Sequence, residues 1–294
     1  MPDMNAGKEK ESYKVMWTRA ELKFNAKSML QRCFWMAVVV CLITAVFSSE
    51  FETNYNFSDR FSDQNNSWYG ESWWDTSWYL DEFDVPDNFA VRSIYNNVLG
   101  IIKSVGSLGM ATLFLGLGLW LSLMSILFYI FIGAPLLVGA KRFFMCNRES
   151  QGRFEMLLYA FRSGHFMNVV GIMLVVGIKT FLWTLLFIIP GIVKSYEYSM
   201  IPYILAENPG IPMDRAFALT REMTYGQKGD IFVLDLSFIL WKMLGAVTCG
   251  LANILYVNPY IAATYAELYT ALRGNAMHRG VTNSFELPGF YGAW

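Results

Sequence analysis

From Ser104 to Ala140 the chain carries no Asp, Glu, Lys or Arg, and Lys141-Arg142 close the run. About 20 uncharged apolar residues suffice for a helix to cross a hydrocarbon core of roughly 30 Å. This run is longer than that, and it lacks the polar face that recurs with each turn of a soluble core helix. It reads as one membrane crossing with an extension, and it predicts a multi-pass protein of the cell membrane.

Composition agrees. The 294 residues are 54% hydrophobic and 17% aromatic, with 16% charged, and the mean hydropathy is +0.32. A soluble domain carries about 25% charged residues. The deficit sits in discrete runs, as in a polytopic membrane protein. The formal net charge of −1 hides strong segregation along the chain. Basic residues flank apolar spans, where topology accounts for them, so no nucleic-acid partner is expected.

Cys33, Cys41, Cys146 and Cys249 form no C-x-x-C pair. Cys33, Cys41 and Cys249 lie in or beside apolar runs, where cysteine behaves as a small hydrophobe. His165 and His278 are far apart and lack a second ligand type at helical spacing, so neither a metal nor another cofactor is expected. About thirty mostly polar residues precede the first apolar run, too many for the n-region of a signal peptide. Cys33–Phe47 therefore reads as a retained first crossing.

The expected fold is all-α, a transmembrane helical bundle of about six spans. The runs are Cys33–Ser48, Leu108–Leu137, Phe166–Ile189, Gly191–Ala206, Ile231–Leu251 and Ile254–Leu272. Lys8, Lys10, Lys14, Arg19, Lys23, Lys27 and Arg32 precede the first and place the amino terminus in the cytoplasm. Residues 49–93 are acidic and form an extracellular loop. Lys141, Arg142, Arg148, Arg153 and Arg162 mark the next loop as inside, as do Arg215, Arg221 and Lys228. Phe166–Ala206 must then cross twice, and Ile189-Pro190-Gly191-Ile192 offers the turn, since proline removes a donor and glycine relaxes the backbone. Arg273 and Arg279 put the carboxyl terminus inside. The organisation is thus a cytoplasmic amphipathic segment (1–32), a membrane domain (33–272) and a cytoplasmic tail (273–294).

Two amphipathic helices are expected on the cytoplasmic surface. Tyr13–Leu30 mixes Lys and Arg with Met16, Trp17, Ala20, Phe24 and Met29, the combination that interfacial binding needs. Met213–Tyr225 follows Pro209 and Pro212, with Ala216, Leu219 and Met223 at i, i+3 and i+7. Both serve as juxtamembrane helices; recognition of anionic headgroups is the alternative.

Several motifs carry a family likeness. They are Ile189-Pro190-Gly191-Ile192, Lys194-Ser195-Tyr196, Tyr198-Ser199-Met200 and Pro202 through Pro209. Leu234-Asp235-Leu236-Ser237-Phe238-Ile239, Trp241, Asn258-Pro259-Tyr260 and Thr264 follow, and Leu22-Lys23 with Ala26-Lys27 fit as well. The chain resembles the bacterial membrane proteins grouped as domain-of-unknown-function family 975, most specifically from Arg153 to Leu272. The long acidic aromatic loop departs from the typical member. The resemblance implies a polytopic, non-enzymatic protein, with no catalytic residues to carry over.

Ionisable groups inside spans are costly, about 2.5–3.5 kcal/mol at a helix centre, and invite a functional reading. Here they are Lys179, Lys194, Glu197, Asp235, Lys242 and Glu267. Lys194 and Glu197 share one helical turn. A bundle that gathered Glu197, Asp235 and Glu267 would make a polar site with Lys194. Interhelical bonding or interfacial placement is the preferred role, a substrate or proton site the other. No G-x-S-x-G, H-E-x-x-H or Walker loop is present, so no enzyme is expected. Gly116, Gly118, Gly133 and Gly139 read as helix contact points. Trp68, Tyr69, Trp73, Trp74, Trp78 and Tyr79 in the outer loop suit either cationic or sugar-like ligands or the outer leaflet, the simpler reading. The chain reads as a scaffold or envelope-homeostasis factor, with membrane lipids and a membrane protein as partners. A small-solute or lipid transporter using the intramembrane carboxylates is the alternative.

Overall fold

The computed structural model describes residues 17–48, 97, 100, 112–113, 115–149, 153–248 and 250–290. The acidic aromatic loop at 49–93 lies outside the described residues. The chain divides into two compact units, Met1–Asn54 with Phe128–Trp294, and Tyr55–Leu127. In the second unit, residues 115–127 are helical and exposed.

All described regular structure is helical. Of the six expected runs, three lie in helices long and apolar enough to cross a membrane: Arg19–Phe47, Leu115–Arg148 and Phe166–Leu186. The first is α1 (Arg19–Ser48). In the first unit, a π turn (Tyr129–Gly133) leads into α2 (Ala134–Glu149), which runs past the expected end at Leu137. A 3-10 turn (Phe154–Leu158) and α3 (Tyr159–Arg162) precede α4 (Phe166–Leu186).

Two of the other three runs are broken, and the sixth is helical throughout. Gly191–Ala206 divides between α5 (Ile188–Tyr198) and α6 (Ile201–Glu207). Pro202 sits in the first turn of α6, where its missing N–H leaves no bond unmade. After α7 (Met213–Thr224), the fifth run splits into α8 (Lys228–Leu236) and α9 (Ile239–Val247). At that break the Ser237 hydroxyl turns back on the Leu234 carbonyl at 2.5 Å, a local bond that competes with the helix ladder. A second π turn (Asn253–Val257) opens α10 (Asn258–His278). Both π turns stand just before a proline, Pro135 or Pro259. Proline cannot donate to the preceding turn and crowds it, and the wider turn relieves both faults.

The amphipathic segment expected on a lipid surface is used differently. Its described part is the first half of α1, and Leu22, Ala26, Met29 and Leu30 are buried where α1 packs on α10. Lys23 lies 4.3 Å from the Phe238 ring centroid, and Lys27 lies 5.8 Å from that of Tyr260. Leu22, Ala26, Met29 and Leu30 therefore meet protein and the two ammonium groups meet aromatic faces, while Phe24 stays 72% exposed. A kink at Cys33 (φ −138°, ψ 27°) separates this half from the apolar half. α7 matches its expected range within a residue, with Ala216, Leu219 and Met223 buried as their spacing predicts. α6 is buried along its whole length and stacks Tyr203 on Tyr269 of α10, centroids 5.3 Å apart.

Two of the four glycines singled out are close contacts. A Cβ at Gly133 would stand 2.3 Å from the Phe47 carbonyl oxygen, and one at Gly139 would stand 2.0 Å from that of Leu157. At Gly116 and Gly118 a Cβ meets no described atom within 4 Å. Gly139→Ala should therefore lower stability by about 1–3 kcal/mol, the usual range for overpacking, while Gly116→Ala should not lower it, alanine being the better helix former. Thermal melts of the two purified variants distinguish them; equal melting temperatures would contradict the close approach at Gly139.

Candidate functional site

The four candidate polar residues, Lys194, Glu197, Asp235 and Glu267, occupy three places. At the end of α5, Lys194 Nζ donates to Glu197 Oε1 at 2.9 Å. Lys228, opening α8, donates to Oε2 at 2.5 Å, and Arg221 of α7 reaches Oε1 at 3.4 Å. Only 3% of the Glu197 side chain is exposed. One buried carboxylate thus draws three cations from three helices, and desolvation strengthens each attraction. Glu267 lies elsewhere, accepting from Arg148 Nε at 2.9 Å.

Asp235 is the third place, and its partners are neutral. Tyr196 donates its hydroxyl to Oδ2 at 2.8 Å, and Tyr265 donates to Oδ1 at 2.5 Å. The carboxylate borders a cavity of about 560 Å³ that Lys141, Lys242, Tyr203 and Asn258 also line. Lys179 is apart from all of these, 3.8 Å from the Phe217 ring centroid.

The expected turn at Pro190-Gly191 falls three residues earlier. Phe187 is extended (φ −155°, ψ 135°) between α4 and α5, which pack side by side. Pro190 occupies the first turn of α5. Gly191 allows the two helices to touch, since a Cβ there would stand 2.7 Å from Thr184 Cα. The motif is thus a close crossing beside the turn.

The most enclosed carboxylate, Glu207, was legible in the sequence only as part of the family motif. Its side chain is 0% exposed. It accepts from Tyr269 at 2.6 Å, from Arg273 Nε at 2.8 Å and from the Gly289 amide at 2.6 Å. The last bond closes the carboxyl-terminal segment onto the bundle. Glu286 adds a fork to Arg215, at 2.6 Å to Nε and 2.8 Å to Nη2. Asn208 donates to the Glu286 carbonyl, and Leu287 and Phe290 are buried. The expected tail is a packed segment. Its signal was the apolar Leu287 and Phe290 beside Glu286, a short pattern without helical period.

Residues 187–276 match the model of the family described as a protein of unknown function (DUF975). The chain resembles that family over this stretch. The matched residues hold Glu197, Glu207, Asp235 and Glu267 with most of their partners. The match begins later than Arg153 and leaves out the amino-terminal Leu22-Lys23 and Ala26-Lys27. No curated protein and no solved structure matches the chain.

The Arg215 guanidinium holds the Glu286 carboxyl below the usual carboxylate range, against the opposing effect of burial; Thr282 also donates to it. A depressed folded pKa contributes stability that is present above the unfolded pKa and lost as pH falls through the folded one. Glu286→Gln should therefore melt lower than the parent near neutrality. The difference should shrink as pH drops below the ordinary carboxylate range. A difference that persists unchanged at low pH would contradict this role.

Proposed function

We propose that the chain is a multi-pass protein of the cell membrane that acts without catalysis, as a scaffold or envelope-homeostasis factor. Membrane placement is supported by the three long apolar helices. It is supported again by the side chains that α5, α9 and the α4–α5 turn leave outward. Phe187, Ile188, Ile189, Leu240 and Val247 are each more than 65% exposed, up to 82% for Val247. Exposed apolar side chains of this size need a cover, and lipid supplies it.

Six passes with both termini in the cytoplasm fit the contacts. Trp17 donates to Gln227 at 2.7 Å, and Arg215 holds Glu286 of the carboxyl-terminal segment. The start of α1, the α7 region and the end of the chain therefore lie together. Segments on one side of a bilayer need an even number of passes between them, and their wealth of Arg and Lys makes that side the inner one.

The observation that carries the non-catalytic reading is the occupancy of the buried acids. Glu197, Glu207 and Glu267 are each held by the chain's own cations. A carboxylate so held serves as an anchor and is poorly placed to act as a base. The second reading, transport of a small solute or lipid, is favoured by Asp235, which borders a cavity and among the described residues pairs with two tyrosines.

The arrangement is tested by cysteine labelling in intact cells with the native cysteines replaced. A cysteine at Ile189, which is 76% exposed, should react with an impermeant thiol reagent from outside. One at Asn283 should react only after permeabilisation. Labelling of both positions only after permeabilisation would overturn the two passes assigned to 166–207.

A further inference from the structure

We infer that the segment between α2 and α4, the 3-10 turn with α3, is an interfacial anchor. It lays Phe154, Leu158 and Phe161 into the inner leaflet, at the boundary of phospholipid headgroups and acyl chains. The inference rests on the membrane placement proposed above.

The segment is apolar toward the protein and away from it. Met156, Leu157 and Ala160 are buried where it packs on α2. The approach is so close that a Cβ at Gly139 would meet the Leu157 carbonyl. Phe154, Leu158 and Phe161 stay outward, at 44%, 44% and 37% exposure. Ring contacts fix two of them in that pose. Phe154 stacks on Phe143 with centroids 6.4 Å apart, and Phe161 stacks on Phe166 at 5.4 Å. Large apolar groups held outward in this way call for a cover from beyond the described residues.

Position and charge say what the cover is. α4 is one of the three helices long enough to span, and it starts at Phe166, the ring on which Phe161 stacks. Met167 beside it is 70% exposed, and Leu174 and Ile178 remain outward further along. Phe161 thus adjoins the side of α4 that lipid would cover, at the end where the helix leaves the hydrocarbon. Between 153 and 167 the chain holds Arg153, Arg162 and a single acid, Glu155, all three exposed. Large apolar groups beside arginine are the combination an interfacial segment needs. A guanidinium reaches phosphate while its stem stays in the apolar layer. Lipid is favoured over a protein cover because the rings adjoin the outward side of α4 and the arginines outnumber the acid.

The two segments with the composition of surface helices leave this role open. The first half of α1 turns Leu22, Ala26, Met29 and Leu30 into the bundle, and α7 turns Ala216, Leu219 and Met223 inward. An anchor that is pinned to α2 and leads directly into α4 also sets the depth at which those two helices sit.

The test uses the full-length protein, with its native cysteines replaced, in nanodiscs of phosphatidylethanolamine and phosphatidylglycerol. A polarity-sensitive fluorophore is attached at Leu158→Cys, and a fraction of the lipid carries a nitroxide either near the glycerol backbone or near the chain ends. Emission from Leu158→Cys should be blue-shifted and lost more to the shallow nitroxide than to the deep one. Leu174→Cys, about 12 Å along α4 from Phe166 at helical rise, should show the reverse order. Glu222→Cys, exposed on α7, should lose emission to neither. Phe161→Cys repeats the measurement should Leu158→Cys fold poorly. Loss at Leu174 without loss at Leu158 and Phe161 would overturn the inference and leave the membrane placement standing. Greater loss at Leu158 to the deep nitroxide would overturn it as well, because the segment would then lie within a span. A Leu158 label shielded in native membranes but wet in the nanodisc would reveal a protein cover and overturn it too. Loss at none of these positions would overturn the placement itself.

Discussion

A single buried carboxylate, that of Glu207, joins three segments far apart in the chain. It ends α6, takes Arg273 and Tyr269 from α10, and receives the Gly289 amide from the carboxyl-terminal segment. An ionised group with no exposed side-chain surface is sustainable only if its oxygens are occupied by good donors. That demand makes the cluster a constraint on the fold. α6 cannot shift without stranding the charge, and the carboxyl-terminal segment cannot leave without exposing an unsatisfied oxygen. Arg142 reinforces the same place by donating to the Ala206 carbonyl while its guanidinium lies 3.6 Å from the Tyr159 ring centroid. Removing one partner of such a buried pair costs about 3–5 kcal/mol, whereas the intact pair is worth far less.

Around this anchor the helices are cut to length by local chemistry. Pro135 and Pro259 each follow a π turn, Pro202 starts α6, and the Ser237 hydroxyl loosens the junction of α8 and α9. α5 alone is 11 residues, about 16 Å at helical rise, roughly half a hydrocarbon core. Two of the proposed passes are therefore pairs of short helices set end to end. Their junctions bring Tyr196, Tyr203 and Asp235 to the border of one cavity, a placement that straight helices with regular faces would not produce.

These particulars explain what could and could not be read from the chain alone. Helical class was legible because long uncharged runs leave no other way to satisfy the backbone. The Lys194–Glu197 pair was legible because three residues is a fixed helical spacing. α7 was legible because Ala216, Leu219 and Met223 repeat with the helical period. The grouping of Glu197, Asp235 and Glu267 into one site was not available, since their partners Arg221, Lys228, Tyr265 and Arg148 come from other elements. Pro190-Gly191 was read as the turn itself, whereas both residues lie within α5. Pro190 suits the first turn of a helix, so the bend fell at Phe187. The first half of α1 has the composition of a lipid-surface helix, and tertiary contact with α10 decides that protein takes Leu22, Ala26, Met29 and Leu30.

The account turns on the carboxyl-terminal segment being held by Glu207 and Arg215. Hydrogen–deuterium exchange of the purified full-length protein measures this most directly, at the peptide covering residues 281–290. The account predicts slow exchange at Gly289 and Leu287, comparable to the middle of α10, and loss of that protection in Glu207→Gln while α7 stays protected. Exchange of 281–290 within seconds in the parent protein, as for a free tail, would contradict it.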